Sequence, residues 1–278
     1  MHAERSLVRV ARRGLLLGAL LLAAPLALAV DGAILINQAR ALAGGVSAGD
    51  APGFPVSINT PGYYVLTSNL TVPNSSTTAI QINANNVTID LNGFAILGPN
   101  VCATDGFTVA QPCTQPSGSP YAGVGVDAGT AVAFNVNNTR IINGTIDGMG
   151  GIGVFANVNA RIEKLNITNC GSYGIYTFGG VILDTLVRGN GNTGILTTGA
   201  VIRDSRSVFN RGTGIQTGAA SSLSGNIVST NLGYGLLLSG NSRFADNVID
   251  NNNGGNANPQ ISGGTAAGVN TCGTAACP

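Results

Sequence analysis

The sequence predicts an all-β chain wound as a parallel β-solenoid, and three observations carry that reading. A glycine followed by an aliphatic residue returns at Gly153-Val154, Gly174-Ile175, Gly194-Ile195, Gly214-Ile215 and Gly235-Leu236, at intervals of 20 or 21 residues. An asparagine column at Asn169, Asn190, Asn210, Asn231 and Asn251 keeps the same period. The apolar segments in between, such as Val181-Ile182-Leu183, are too short and too β-branched for helix. One such coil cannot bury its apolar side alone, so coils stack about 4.8 Å apart and share a continuous core. A leucine-rich horseshoe has a similar period, but it needs several leucines per repeat, and these coils hold few.

Taken in order, residues 1–29 read as an export signal. Arg5, Arg9, Arg12 and Arg13 precede the apolar run GLLLGALLLAAPLALA, and Ala27-Leu28-Ala29 is a small-x-small cleavage site. The apolar run is about 16 residues, short of the roughly 20 that a bilayer core requires, so a membrane-spanning helix is not expected. Residues 30–52 form a capping segment: AILINQARALAGG, from Ala33, has helix-forming residues and a Gly-Gly stop at 44–45. Such a short N-terminal capping helix would cover strand edges and apolar interior that a first coil leaves open.

The solenoid is expected over residues 53–255. FPVSINTPGYYVLTSNLTV reads as strand, Pro-Gly turn, strand, and AIQINANNVTIDLNGFAILG at 79–98 makes one coil. VAFNVNNTRIINGTIDGM at 132–149 echoes it, with Asn-Asn, an apolar pair and then Asn-Gly in both. Between them, about 99–121, a loop insertion leaves the solenoid. In the 79–98 coil Val87, Ile89 and Leu91 point inward and Asn92-Gly93 turns the corner. Asp90 then leans outward or toward that corner, opposite Ile142 of the echoing coil, and reads as a solvated or turn-bonded scaffold residue. Residues 256–278 read as an extended tail.

Five cysteines in an exported chain are read first as disulfides. Cys102 and Cys113 bracket one short loop and Cys272 and Cys277 another, so two local staples are the simplest pairing. Cys170 remains, a buried small hydrophobe. Beyond residue 29 the chain has nine basic and eleven acidic residues and no histidine. That near-neutral balance argues against nucleic acid. The absence of histidine excludes Ser/His, Cys/His and His-ligated metal chemistry.

The entry segment TPGYYVLTSNLTV, the NNVTIDLNGFAI coil and the later Gly-Ile and Asn columns resemble the right-handed parallel β-helix proteins of the pectin-lyase-like superfamily, in particular its exported bacterial repeat proteins. The resemblance covers about residues 53–255 and implies a single-stranded right-handed parallel β-helix. That scaffold hosts lyases, hydrolases, epimerases, adhesins and non-catalytic surface proteins, so it does not define an activity. Polygalacturonase-like hydrolysis would need Asn-Thr-Asp, Asp-Asp, Gly-His-Gly and Arg-Ile-Lys motifs, and none occurs.

Pectate-lyase-like β-elimination would need Ca²⁺ held by carboxylates on neighbouring coils and an Arg or Lys as base. Glu163, Asp184 and Asp204 each stand six residues before an asparagine of the column, and Asp246 stands six before Asn252. Asp184 and Asp204 are thus the candidate ligands and Arg203 or Arg206 the candidate base. Acceptance of turn N–H groups at a corner is the plainer role for those acids. Phe155 and Tyr176 each lie one residue past an inward position and are expected to point outward on adjacent coils, more as a pair that stabilises stacked strands than as a small sugar-binding stripe. Two functions follow as expectations. One is a non-catalytic secreted or periplasmic protein that binds a polysaccharide or another cell-envelope component. The alternative is a Ca²⁺-assisted lyase of acidic polysaccharide.

Overall fold

The computed structural model describes residues 32–100, 119, 121–129, 136–273 and 275–277. Residues 1–29, read above as an export signal, most of the 99–121 insertion and the expected Cys102–Cys113 pair lie outside the described residues. What is described is a parallel β-solenoid with one short helix. Its strands form a narrow sheet of nine strands and a broad one of 18, the latter bending through a corner. Successive coils pair in parallel, in registers such as Ile175↔Ile195 and Ile195↔Ile215 on the narrow sheet. Ile162↔Ile182 and Ile182↔Ile202 pair likewise on the broad one.

The glycine-aliphatic repeat sets the narrow sheet. Val154, Ile175, Ile195, Ile215 and Leu236 are each fully buried and face the core across from Ile162, Ile182, Ile202, Leu223 and Phe244. One aliphatic column per wall is enough to fill the interior, because the coils stack at strand spacing and each side chain rests on its equivalent above and below.

The interior asparagines run differently from the expected column. Asn190, Asn210 and Asn231 stack as foreseen, but the ladder begins at Cys170 and continues through Asn252 to Gln260. Each backbone N–H donates to the side-chain oxygen one coil on: Cys170 to Asn190 at 3.0 Å, Asn190 to Asn210 at 3.1 Å, Asn210 to Asn231 at 2.9 Å and Asn231 to Asn252 at 3.0 Å. Asn169 and Asn251 instead sit one residue earlier, at the corner, with φ of 55° and 52°. Asparagine suits both places, since it tolerates left-handed backbone and carries a donor and an acceptor. A second ladder at the next corner, Thr185, Ser205, Asn226, Asn247 and Asn270, is linked in the same way. These amides satisfy inward backbone groups that no water reaches.

The N-terminal end is closed by the expected cap, with an altered division. Ala33–Ile36 is a strand that pairs in parallel with Gly62–Leu66, and only Gln38–Ala43 is helical. Asn37 decides the boundary: it is extended, and its side chain caps Arg40 N–H at 2.8 Å. The open edge of the first narrow-sheet strand, Val56–Ile58, is covered by the loop that follows the helix. Asp50 accepts from Ser57 N–H at 2.7 Å, while Ser47 donates to Ser57 O at 2.7 Å and accepts from Asn59 N–H at 2.9 Å.

At the other end the 256–278 segment is more than an extended tail. Ile261–Ser262, Thr265–Ala266 and Thr271–Cys272 pair in parallel with the preceding coil and so add another turn. The change in sequence composition hides this, because the final turn is largely exposed and has little apolar repeat to show. Cys272 and Cys277 are disulfide-bonded as expected and close an antiparallel hairpin with Ala275–Ala276.

Candidate functional site

Asp184 and Asp204 occupy equivalent positions on successive coils, at the corner within the broad sheet. That corner column comprises Asn92, Asn143, Lys164, Asp184, Asp204, Gly225 and Asp246, all with φ between 49° and 67°. Left-handed backbone is what these seven share. Glycine, asparagine and aspartate adopt it most readily, which accounts for the interruption by Gly225. Glu163 does not belong to the column. It pairs with Leu183, and the residue preceding Asp184 along the corner is Lys164. The intervals of 20 and 21 residues differ by one, and that one residue separates an outward strand position from the corner.

The Asp184 and Asp204 side chains are exposed, as are Arg203 and Arg206. Arg203 ends the strand Ala200–Arg203 just before Asp204, and Arg206 opens the next strand, Arg206–Val208. Among the described residues no group of three or more His, Cys, Asp or Glu side chains is placed to hold a metal ion. The backbone role makes a prediction. Asp204→Asn or Asp204→Gly is expected to keep the urea midpoint, whereas Asp204→Val, which resists positive φ, loses about 1–2 kcal/mol. A Ca²⁺-dependent rise in melting temperature that Asp204→Asn abolishes would instead establish the carboxylate as a ligand.

Two carboxylates on the outer face of the broad sheet are held by structural partners. Asp90 is buried, opposite Ile142 as the echo between coils implied. It accepts from the Tyr63 hydroxyl at 2.6 Å, from Asn92 N–H at 2.8 Å and from Asn143 Nδ2 at 3.2 Å. The hydrogen bond to Asp90 raises the Tyr63 phenol above its ordinary pKa, so it stays a donor. Glu163 lies between Arg140, at 3.3 Å, and Arg161, which stack on adjacent coils. Three of these partners, Tyr63, Asn143 and Arg140, come from other coils, 23 to 53 residues away, and leave no local motif, whereas Asn92 and Arg161 stand two residues off.

The narrow sheet has the opposite character. Among its nine strands the sole charged residue is Asp127, whereas the strands of the broad sheet carry eleven. On its outer face Phe155 and Tyr176 stack as adjacent-coil partners, centroids 5.0 Å apart and planes 18° from parallel. Phe155 is 1% exposed and also meets Tyr121 at 5.4 Å and Phe178 at 6.0 Å. Tyr173 and Phe178 flank Tyr176, tilted by 55° and 46°. The pair Phe155 and Tyr176 was legible from the period, but the recruitment of Tyr121, from outside the regular coils, was not. Burial raises the Tyr173 and Tyr176 phenols, which therefore remain neutral donors at ordinary pH. Farther along, the same outward column passes to Leu196, Gln216 and Leu237.

Cys170 heads the asparagine ladder, fully buried, and burial pushes its thiol from 9.0 up to about 12. Thiol reagents at pH 8 are expected to leave it unmodified in the native protein and to titrate it after denaturation. A thiol whose folded pKa is raised stabilises the fold fully below the unfolded value, and that contribution falls away as pH rises from 9 towards 12. A shallow open trough of about 380 Å³ runs beside the corner at Gly180, Ala200 and Ser221, with Arg243 at its rim.

Neither a protein-family model, nor a curated protein, nor a solved structure matches the chain. Among the described residues no helix is long and apolar enough to cross a membrane.

Proposed function

We propose that the chain is an exported, pectin-lyase-like β-helix protein with a non-catalytic role, binding a glycan or another component of the cell envelope. The observation that carries this reading is the aromatic cluster on the outer face of the narrow sheet, whose strands hold a single charged residue, Asp127. Ring surface held on a rigid, hydrogen-bonded sheet costs little ordering when a ligand docks. The buried carboxylates support the absence of acid-base work, since Asp90 and Glu163 are each occupied by structural partners. Export to the periplasm or beyond is supported by the signal-like segment 1–29.

The test is retention of purified protein on a glycan array, with the bound sugars recovered and checked for cleavage. Retention without product is the expected result, and silence across a broad array would sink it. The competing reading, Ca²⁺-assisted β-elimination, draws on Asp184 and Asp204 standing on successive coils with Arg203 beside them. Appearance of the ultraviolet absorbance of unsaturated uronides from polygalacturonate, alginate or chondroitin with Ca²⁺ would establish it and displace the binding role.

A further inference from the structure

We infer that the outer face of the narrow sheet takes an uncharged polysaccharide, anchored on Tyr173, Tyr176 and Phe178 and running along the solenoid axis over Leu196, Gln216 and Leu237. This rests on the glycan-binding reading and adds to it the class of ligand and the place.

Charge decides the class. The narrow-sheet strands from Val154–Ala156 to Leu236–Leu238 contain no ionisable side chain other than Tyr176, and their flanking residues in 152–157, 173–178, 193–198, 213–218 and 234–239 add only the phenols of Tyr173 and Tyr234. A uronate or sulfate laid here would lose hydration without meeting a cation on these strands. Arg140, Arg161, Arg188, Arg203, Arg206 and Arg243 stand on the broad sheet, and the arginine nearest the narrow sheet, Arg211, lies in the turn before Ile215–Thr217 and off its strands.

Shape decides the direction. Phe155 and Tyr176 are stacked on one another, so most of their faces serve the scaffold. Tyr173 and Phe178, tilted by 55° and 46° from Tyr176 and only part buried, turn ring surface towards solvent on either side of it. A neutral sugar ring offers C–H groups on its faces and hydroxyls at its edge, which suits ring surface beside tyrosine hydroxyls and the part-exposed Gln216 amide. Beyond this anchor the outward column repeats once per coil, at about 4.8 Å, close to the length of one hexose residue. The face therefore offers one contact per sugar along the axis.

The experiment is native affinity electrophoresis of the full protein in gels containing a neutral β-glucan, a galactomannan, polygalacturonate or alginate. Retardation by at least one neutral polymer, unchanged by 0.5 M salt as an approximate screening level, is expected. The Tyr173→Ala/Phe178→Ala double variant, with the Phe155–Tyr176 stack intact, should bind at least about tenfold more weakly, while Arg140→Ala binds like the parent. Should the double variant fold poorly, the parent protein supplies a second readout. It has no tryptophan, and four of its six tyrosines, Tyr121, Tyr173, Tyr176 and Tyr234, lie on or beside this face. Tyrosine emission should then change with neutral polymer and not with acidic polymer. Salt-sensitive retention by acidic polymers alone would overturn the uncharged class and leave glycan binding standing. Retardation by none of the four would overturn this inference, and the broader array then decides the reading beneath it.

Discussion

Replacing Asn231 by alanine is expected to lower the stability of the solenoid by about 3–5 kcal/mol, among the largest effects available to a single side chain here. Asn231 is 2% exposed and serves two neighbouring coils at once. Its Oδ1 accepts from the Asn210 backbone N–H at 2.9 Å and from Asn210 Nδ2 at 3.0 Å. Its Nδ2 donates to Ser207 O at 2.9 Å and to Asn252 Oδ1 at 2.8 Å. Truncation strands the Asn210 N–H inside an apolar wall, where no water substitutes, and opens the ladder in its middle. Each stranded polar group costs about 1–3 kcal/mol, so two or more account for the total. Asn241→Ala, in an exposed turn, should change stability by no more than about 0.5 kcal/mol. Urea midpoints measure both, and equal shifts would refute the ladder as the source of stability.

Gly214→Ala is expected to cost about 3 kcal/mol or more, or to prevent folding. A Cβ at Gly214 would stand 2.3 Å from Val228 Cγ1, 2.7 Å from Asn231 Nδ2 and 2.8 Å from Gly235 O. None of the three can withdraw. Val228 is core, the Asn231 amide is held by the ladder, and the Gly235 carbonyl accepts from Ile215 N–H at 2.9 Å in the sheet itself. Gly218→Ala is the contrasting case four residues on. Its Cβ would meet Thr198 Cα at 3.4 Å, an ordinary contact, and the site is exposed. It should lie within about 0.5 kcal/mol of the parent, and a thermal melt of both variants separates close packing from a general intolerance of β-carbons. The glycine of each Gly-aliphatic pair is thus a packing requirement, since Gly214 has no positive φ to explain it.

Much of this was legible in residues alone, and the limits have physical causes. The Gly-aliphatic period located the inward column of the narrow sheet from Val154 to Leu236, because a strand at fixed period repeats its inward side chain at that period. The same period misassigned Asn169, Asn251 and Glu163. A corner residue and the inward residue after it differ by one position, and intervals alternating between 20 and 21 cannot tell them apart. A one-residue slip in a β coil exchanges faces, so the error is small in sequence and large in space.

The candidate carboxylates Asp184 and Asp204 were found at one corner, but their positive φ was not readable from spacing. Nor were those partners of Asp90 and Glu163 that come from other coils, Tyr63, Asn143 and Arg140. The sequence by itself determined the period, the all-β solenoid, the inward aliphatic columns and the outward Phe155–Tyr176 pair. Those follow from local periodicity, which each coil carries within itself. The tertiary structure alone decided which asparagines turn inward, which acids are consumed by partners, how deeply Cys170 is buried, and that charge collects on the broad sheet while the strands of the narrow one keep only Asp127. Those depend on register between coils, and register is set by the stacking of residues 20 or more positions apart rather than by any segment read alone.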